Sequence, residues 1–217
     1  MHYRINSLVI KTENAAKPVS RGSRWVLDWI LARPKTHIGM DYGCGKFRYT
    51  IPLSRQVRFV HAVDSIHQVG RTQVIGDRRS NLRSFATKYL KNVRVHEVSS
   101  PSWRRVRTDF ALCANVLSAI PSTQERIQVL VNIRSILKAG GHLLACTQFR
   151  NTDFSSYGVR PDAIRFRDGW VLAGRHGASF YGIIPPESLA ALCSAAGFSI
   201  ADYRSKGESA YVLALRP

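Results

Sequence analysis

The sequence predicts an α/β domain built on a mostly parallel sheet. Three observations lead there. Short apolar runs of strand length alternate with stretches whose apolar residues recur at helical spacing. A glycine-bearing turn, Asp41-Tyr42-Gly43-Cys44-Gly45, follows directly on the first of those runs. Two strand-like runs close the chain, and the short link between them suits an antiparallel pair.

Residues before about Ser20 are mixed and carry no clear period. Trp25, Val26, Trp29 and Ile30 then recur at helical spacing, with Ser20 or Ser23 as the cap and Pro34 as the stop. His37–Asp41 reads as the first strand, Val57–Val63 as the second and Val93–Val98 as a short third. The polar, Arg-rich stretch Gly70–Leu90 is helical in its second half. Asp109–Val116 carries the unbroken apolar run Phe110–Ala114, the mark of a strand buried on both faces. Ser122-Thr-Gln-Glu125 has the spacing of a capping box, and Ile127, Leu130, Val131, Ile133, Ile136 and Leu137 form the apolar face of the helix it opens. Gly140-Gly141 ends that helix, and His142–Thr147 is the next strand. Ile164 to Leu172 alternates around Asp168-Gly169, a hairpin signal. Pro185-Pro186 opens a helix through Ala195, which Gly197 closes. Phe198–Tyr203 and Ala210–Leu215 are the final pair.

Composition bounds the function. The 217 residues suffice for one domain with a sizeable core, 1–217, with an N-terminal segment and helix over 1–35 and a hairpin-bearing insertion over 150–183. Lys and Arg number 32 against 14 Asp and Glu, a formal charge of +18. From Arg71 to Arg107 ten basic residues face only Asp77 and Glu97. Such a field attracts polyanions, RNA and DNA included, although a plain solvated surface gives the same count. Cys44, Cys113, Cys146 and Cys193 lie far apart, with no spacing for a metal site or disulfide framework. No run has the apolar length of a signal peptide or a membrane span, so a cytoplasmic protein is expected.

The chemistry sits at the strand ends. Glycines straight after a buried strand let backbone approach a ligand that a Cβ would repel. Strand Val57–Val63 ends in Asp64, nineteen residues after Gly45. A carboxylate there is where a Rossmann-like sheet binds the ribose hydroxyls of an adenosine. Each feature alone has an ordinary alternative, a plain turn or a solvated strand end; their register together points to a nucleoside cofactor.

From about Trp25 onward the chain resembles the class I S-adenosylmethionine-dependent methyltransferases. Met40-Asp-Tyr-Gly-Cys-Gly45 is similar to the family's first motif and Val60-His-Ala-Val-Asp64-Ser65 to its second. Thr108 to Pro121 resembles the fourth, Ile133–Gly141 the helix before the fifth strand, and Leu189–Phe198 the late helix and turn. The resemblance implies a Rossmann-like, mostly parallel seven-stranded sheet with helices on both faces and an antiparallel last strand, and S-adenosyl-L-methionine as cofactor. It implies that Gly43, Cys44 and Gly45 pass beneath the cofactor's methionine and ribose, and that Asp41 holds their turn. It implies that Asp64 accepts from the ribose hydroxyls, that Ser65 or Ile66 borders the adenine, and that Asn115 lies close to the transferring methyl. Ser99 stands where many members have an aspartate on the adenine amino group, and Ala119 where many have histidine.

The methyl acceptor is less defined. No Asn-Pro-Pro-Tyr or Asp-Pro-Pro-Tyr follows the fourth strand; Ile184-Pro-Pro-Glu187 lies elsewhere and opens a helix. No Pro-Cys nucleophile and no Lys-Asp-Lys-Glu tetrad is present. The segment Arg150–Tyr181 interleaves Tyr157, Phe166, Trp170, Phe180 and Tyr181 with arginines, a pattern that stacks bases or simply builds a hairpin with one apolar face. Tyr157, Arg175 and His176 are its substrate-side candidates; no residue is assigned as catalytic base, although His67, His96, His142 and His176 are available. The basic surface puts a nucleic-acid acceptor first, a small metabolite second, and a non-catalytic cofactor- or nucleic-acid-binding domain third.

Overall fold

A computed structural model describes residues 2–5, 7–16, 22–150, 152–174 and 177–217. The chain opens with strands β1 (His2–Ile5) and β2 (Leu8–Lys11) and a 3-10 turn at Thr12–Ala15. Helix α1 (Arg24–Leu31), strand β3 (Ile38–Tyr42), α2 (Thr50–Gln56), β4 (Phe59–Asp64) and α3 (Ile66–Gly70) follow. Then come a small hairpin, β5 (Gln73–Ile75) and β6 (Arg78–Ser80), α4 (Leu82–Tyr89), β7 (Val93–Glu97) and β8 (Thr108–Ala114). The second half holds α5 (Thr123–Ile136), β9 (Leu137–Gln148), α6 (Thr152–Tyr157), β10 (Ala163–Phe166), β11 (Gly169–Leu172) and β12 (Ser179–Gly182). Helix α7 (Pro186–Ala195) and strands β13 (Ser199–Lys206) and β14 (Ser209–Leu215) complete it.

The central sheet has seven strands in the order β13-β14-β9-β8-β3-β4-β7. Neighbours from β9 to β7 run parallel, while β14 pairs antiparallel with both β9 and β13. The direction of winding reverses between β3 and β8, and the crevice beyond the carboxyl ends of those two strands is where such sheets bind ligands. Period-two alternation splits the strands between two cores. Met40, Tyr42, Ala111, Cys113, Leu143 and Ala145 meet Leu130, Ile133 and Leu189 of α5 and α7 on one face. Val60, Phe110, Leu112 and Leu144 meet Val26, Ile30 and Leu53 of α1 and α2 on the other.

Several local expectations are corrected. The N-terminus is ordered where it carries no legible period: β1 and β2 form a hairpin, and Ile5 and Ile10 bury themselves against Val171, Ala178 and Phe180. Its docking is completed from far along the chain, by Lys11 N–H donating to Ala178 O at 2.8 Å and Ala178 N–H to Val9 O at 3.1 Å. The hairpin β5–β6 occupies the first part of the Arg-rich stretch. Ser23 caps α1 by position only, since its hydroxyl pairs with the Tyr211 hydroxyl at 2.8 Å; Ser20 lies outside the described residues. Ser122 does accept from Glu125 N–H, at 3.4 Å, but the Glu125 carboxylate faces the Tyr3 hydroxyl.

The buried stripe of α5 is Arg126, Val129, Leu130, Ile133 and Ile136, and Val131 is exposed. A charged residue holds an inward position because Asp168 takes its guanidinium in a two-pronged ion pair, while Arg126 Nε donates to Ile120 O at 2.7 Å. The hairpin β10–β11 forms as expected but turns at Arg167 and Asp168, with Phe166 opposite Gly169. Gly169 is needed for another reason. It lies in β11, where a Cβ would stand 2.3 Å from Tyr181 O of the third strand, β12.

Candidate functional site

The turn after β3 reverses the chain with Gly43 and Gly45 at φ of +73° and +56°. Side chains rarely adopt that conformation, and a Cβ on Gly43 would also lie 2.1 Å from Val116 Cγ2. Gly43 N–H donates to Val63 O at 2.8 Å, which ties the turn to β4. Asp41 is buried beneath it and accepts the Thr50 hydroxyl at 2.6 Å, fixing the start of α2. Burial pushes the Asp41 carboxyl up to about 6, with the Thr50 bond and Arg48 pulling the other way. Cys44 is buried in a cluster with Phe47 and Ala62, and its thiol donates a hydrogen bond to the Asp64 carboxylate.

Asp64 ends β4 facing the same turn. Its Oδ2 accepts Gly45 N–H at 2.8 Å and its Oδ1 accepts Ser65 N–H at 2.7 Å. Burial raises this carboxyl, and the two backbone N–H groups oppose the shift. Ser65 caps α3 by accepting from Gln68 N–H at 3.2 Å. Buried Gln68 reaches back and donates through Nε2 to Gly45 O at 2.5 Å.

These groups line a cavity of about 820 Å³, its mouth included. Asp41, Gly43, Cys44, Gly45, Asp64, Ser65 and Asn115 all line it, together with Ala119. Ser99 does not. It is exposed, and Val98 takes the inward place, held by its N–H on Asp64 O at 2.8 Å and by Trp103 Nε1 on its own carbonyl at 3.1 Å. Ile66 is 56 % exposed and stands outside the lining. Among the described residues the cavity also takes in Thr12, Glu13, Ala16, Arg48, Tyr49 and Gln68. None of these six was singled out from the sequence as a site residue.

Among the described residues, the buried side-chain atoms of this cavity that lack a hydrogen-bond partner are acceptors. Glu13 Oε2, Gln68 Oε1 and Asn115 Oδ1 are buried without a hydrogen-bond partner. Buried acceptors left unmet are costly, so the cavity suits a ligand that brings hydrogen-bond donors. Asn115 itself sits at φ +60°, its N–H on Cys146 O at 2.8 Å.

A second cavity of about 640 Å³, open mouth included, shares Arg48, Tyr49 and Asn115 with the first. It continues past Cys146 and Gln148 at the end of β9 to Lys206 of β13, Glu208 of the turn that follows, and Ser209 and Tyr211 of β14. Tyr157 lines neither cavity. It is buried among Phe154, Trp170 and Tyr181, with ring centroids 5.7, 6.4 and 6.0 Å away. Arg175 and His176 lie outside the described residues. His67 stacks on His2, buried His96 pairs with His61 at 2.9 Å, and His142 sits near the opposite end of the sheet, beside Phe110 and Leu215; none of the three lines either cavity.

Comparison with known proteins agrees with this geometry. A profile described as a methyltransferase domain matches residues 16–203. An uncharacterized protein of Escherichia coli K12, YmfD, is 29 % identical over 212 residues, covering 98 % of this chain and 95 % of that protein. A SAM-dependent methyltransferase of Methanosarcina mazei superposes with a TM-score of 0.62 at 14 % identity, over 90 % of this chain and 98 % of its own. The 1,6-didemethyltoxoflavin-N1-methyltransferase of Burkholderia thailandensis, solved with that compound and S-adenosylhomocysteine, superposes with a TM-score of 0.59 at 20 % identity, over 91 % and 77 %.

Proposed function

This chain belongs to the methyltransferase-domain family and is an S-adenosylmethionine-dependent methyltransferase with the class I fold, and from that premise we propose that its methyl acceptor is a small molecule seated in the second cavity. The observation that carries this reading is the shared wall: Asn115, Arg48 and Tyr49 border both cavities, so a ligand in each meets at that point. The named acceptor of the Burkholderia relative is also a small molecule.

The residues of the first cavity fit the cofactor. Asp64 would accept from the ribose hydroxyls, the bare backbone of Gly43 and Gly45 would admit the chain between ribose and methionine, and Asn115 would stand towards the methyl group. When bound, S-adenosylmethionine supplies a methyl carbon already activated by a sulfonium. The protein then contributes alignment of the acceptor and exclusion of water. Among the described residues no histidine lines either cavity, although His2 stands behind Glu13 at 2.8 Å. We place the enzyme in the cytoplasm, a reading supported by four buried cysteines in the free thiol state; among the described residues no helix is long and apolar enough to cross a membrane.

A nucleic-acid acceptor is the second reading, favoured by the charge of +18 and by Arg78, Arg79 and Arg83, all exposed on the hairpin β5–β6 and α4. Methyl-labelled cofactor incubated with fractionated cell extract decides between them. Label in the low-molecular-weight fraction is expected. Label confined to RNA or DNA, with incorporation that falls steeply as salt rises, transfers the assignment to the second reading.

A further inference from the structure

We propose that Glu13, in the 3-10 turn of the N-terminal segment, is a cofactor-binding residue whose free carboxylate oxygen accepts a donor of bound S-adenosylmethionine. No motif covers this position, and the inference rests on the cofactor assignment alone, not on the identity of the acceptor.

The geometry is specific. The Glu13 side chain is only 8 % exposed and lines the first cavity but not the second. Its Oε1 pairs with His2 Nε2 at 2.8 Å, and its Oε2 is buried with no partner. Burial works against the charge, but the His2 bond and a bond from its own backbone N–H hold the carboxyl below its ordinary range. An anionic oxygen shut away from water in a ligand cavity costs folding free energy unless a ligand meets it.

The placement of the turn is equally defined. Arg71, just past α3, donates through Nη2 to Glu13 O at 3.0 Å. Three residues on, the Ala16 methyl lies 3.4 Å from where a Cβ on Gly45 would stand. His2 stacks on His67 of α3 with centroids 4.2 Å apart and planes 7° from parallel. Glu13 is thus fastened to the Gly45–Asp64–Gln68 side of the cavity, where the cofactor's nucleoside and amino-acid portions meet. Either a ribose hydroxyl or the ammonium group supplies the donor chemistry, and both belong to the same ligand.

Calorimetric titration of the full chain with S-adenosylmethionine, S-adenosylhomocysteine and methylthioadenosine tests this, using wild type, Glu13→Gln and His2→Gln. Wild-type binding of the first ligand checks the cofactor assignment in the same experiment. Glu13→Gln is expected to weaken S-adenosylmethionine by about tenfold to a hundredfold, the scale of a hydrogen bond to a charged group. His2→Gln, which leaves the carboxylate in place, is expected to weaken it by less than about threefold. An equal loss with methylthioadenosine assigns the donor to the ribose, and its sparing assigns the ammonium. Wild-type affinity in a folded Glu13→Gln protein overturns the proposal. So does an equal loss in both variants, which reduces Glu13 to a residue that holds the hairpin down.

Discussion

Asp64 Oδ2 accepts the Gly45 N–H at 2.8 Å, so the carboxylate that closes the second parallel strand also fixes the turn that closes the first. One side chain therefore couples the two elements that hold a nucleoside cofactor. Its second oxygen is engaged by Ser65 N–H at 2.7 Å, and a carboxylate has lone pairs left for ribose hydroxyls after both bonds are made.

That coupling predicts two losses from Asp64→Ala. Cofactor affinity should fall by about 1.5–3 kcal/mol as the acceptor disappears. Stability of the ligand-free protein should fall by roughly 1–3 kcal/mol, because the N–H groups of Gly45 and Ser65 lose their partner. Calorimetry reads the first and denaturant unfolding the second. Unchanged stability means that water replaces the carboxylate and that the turn stands without it.

Much of this arrangement was legible in the sequence, and its limits are physical. The glycine turn and Asp64 could be read because strand, turn and strand-end carboxylate are each local signals in a fixed order. Strands β8, β13 and β14 could be read because burial on one or both faces writes itself into neighbouring residues. Glu13 could not, since its partners are His2, Arg71 and a cavity wall contributed by residues far along the chain. Strand β2 was hidden for the same reason: it docks on Ala178, more than 160 residues away. Arg126 misled the reading of α5 because a charge on the inward stripe is tolerated only with Asp168 opposite, a contact that no periodicity reports. Ser99 and Val98 differ by one position, and the hydrogen bond from Val98 N–H to Asp64 O decides which of them faces the cavity.

The Arg126–Asp168 pair predicts an asymmetric response to mutation. Asp168→Ala leaves a fully buried guanidinium unpaired and should cost about 3 kcal/mol, whereas Arg126→Met with Asp168→Leu should restore much of the loss by packing. Chemical denaturation of the three proteins measures this. A single variant within about 0.5 kcal/mol of wild type would show that Ile120 O and solvent suffice for Arg126.

The buried histidines predict acid sensitivity. His61 and His96 pair at 2.9 Å, and His96 Nδ1 lies 3.2 Å from Ser102 Oγ. Burial first, then neighbouring positive charge, lowers both from 6.5 to about 4. The unfolded chain therefore binds more protons between those values, so the stability their neutral forms confer is present above pH 6.5 and is lost as pH falls towards 4. His61→Phe with His96→Gln should flatten the unfolding free energy over that window. An equally steep slope in the double variant assigns the acid sensitivity to other groups.

The first cavity is the proposed S-adenosylmethionine site. Calorimetric titration of the wild-type protein with S-adenosylmethionine, S-adenosylhomocysteine and NAD tests that most directly. Saturable binding of both sulfur ligands at one site per chain, with no binding of NAD, is the predicted result. Comparable binding of NAD, or no binding of either sulfur ligand at millimolar concentration, would contradict it.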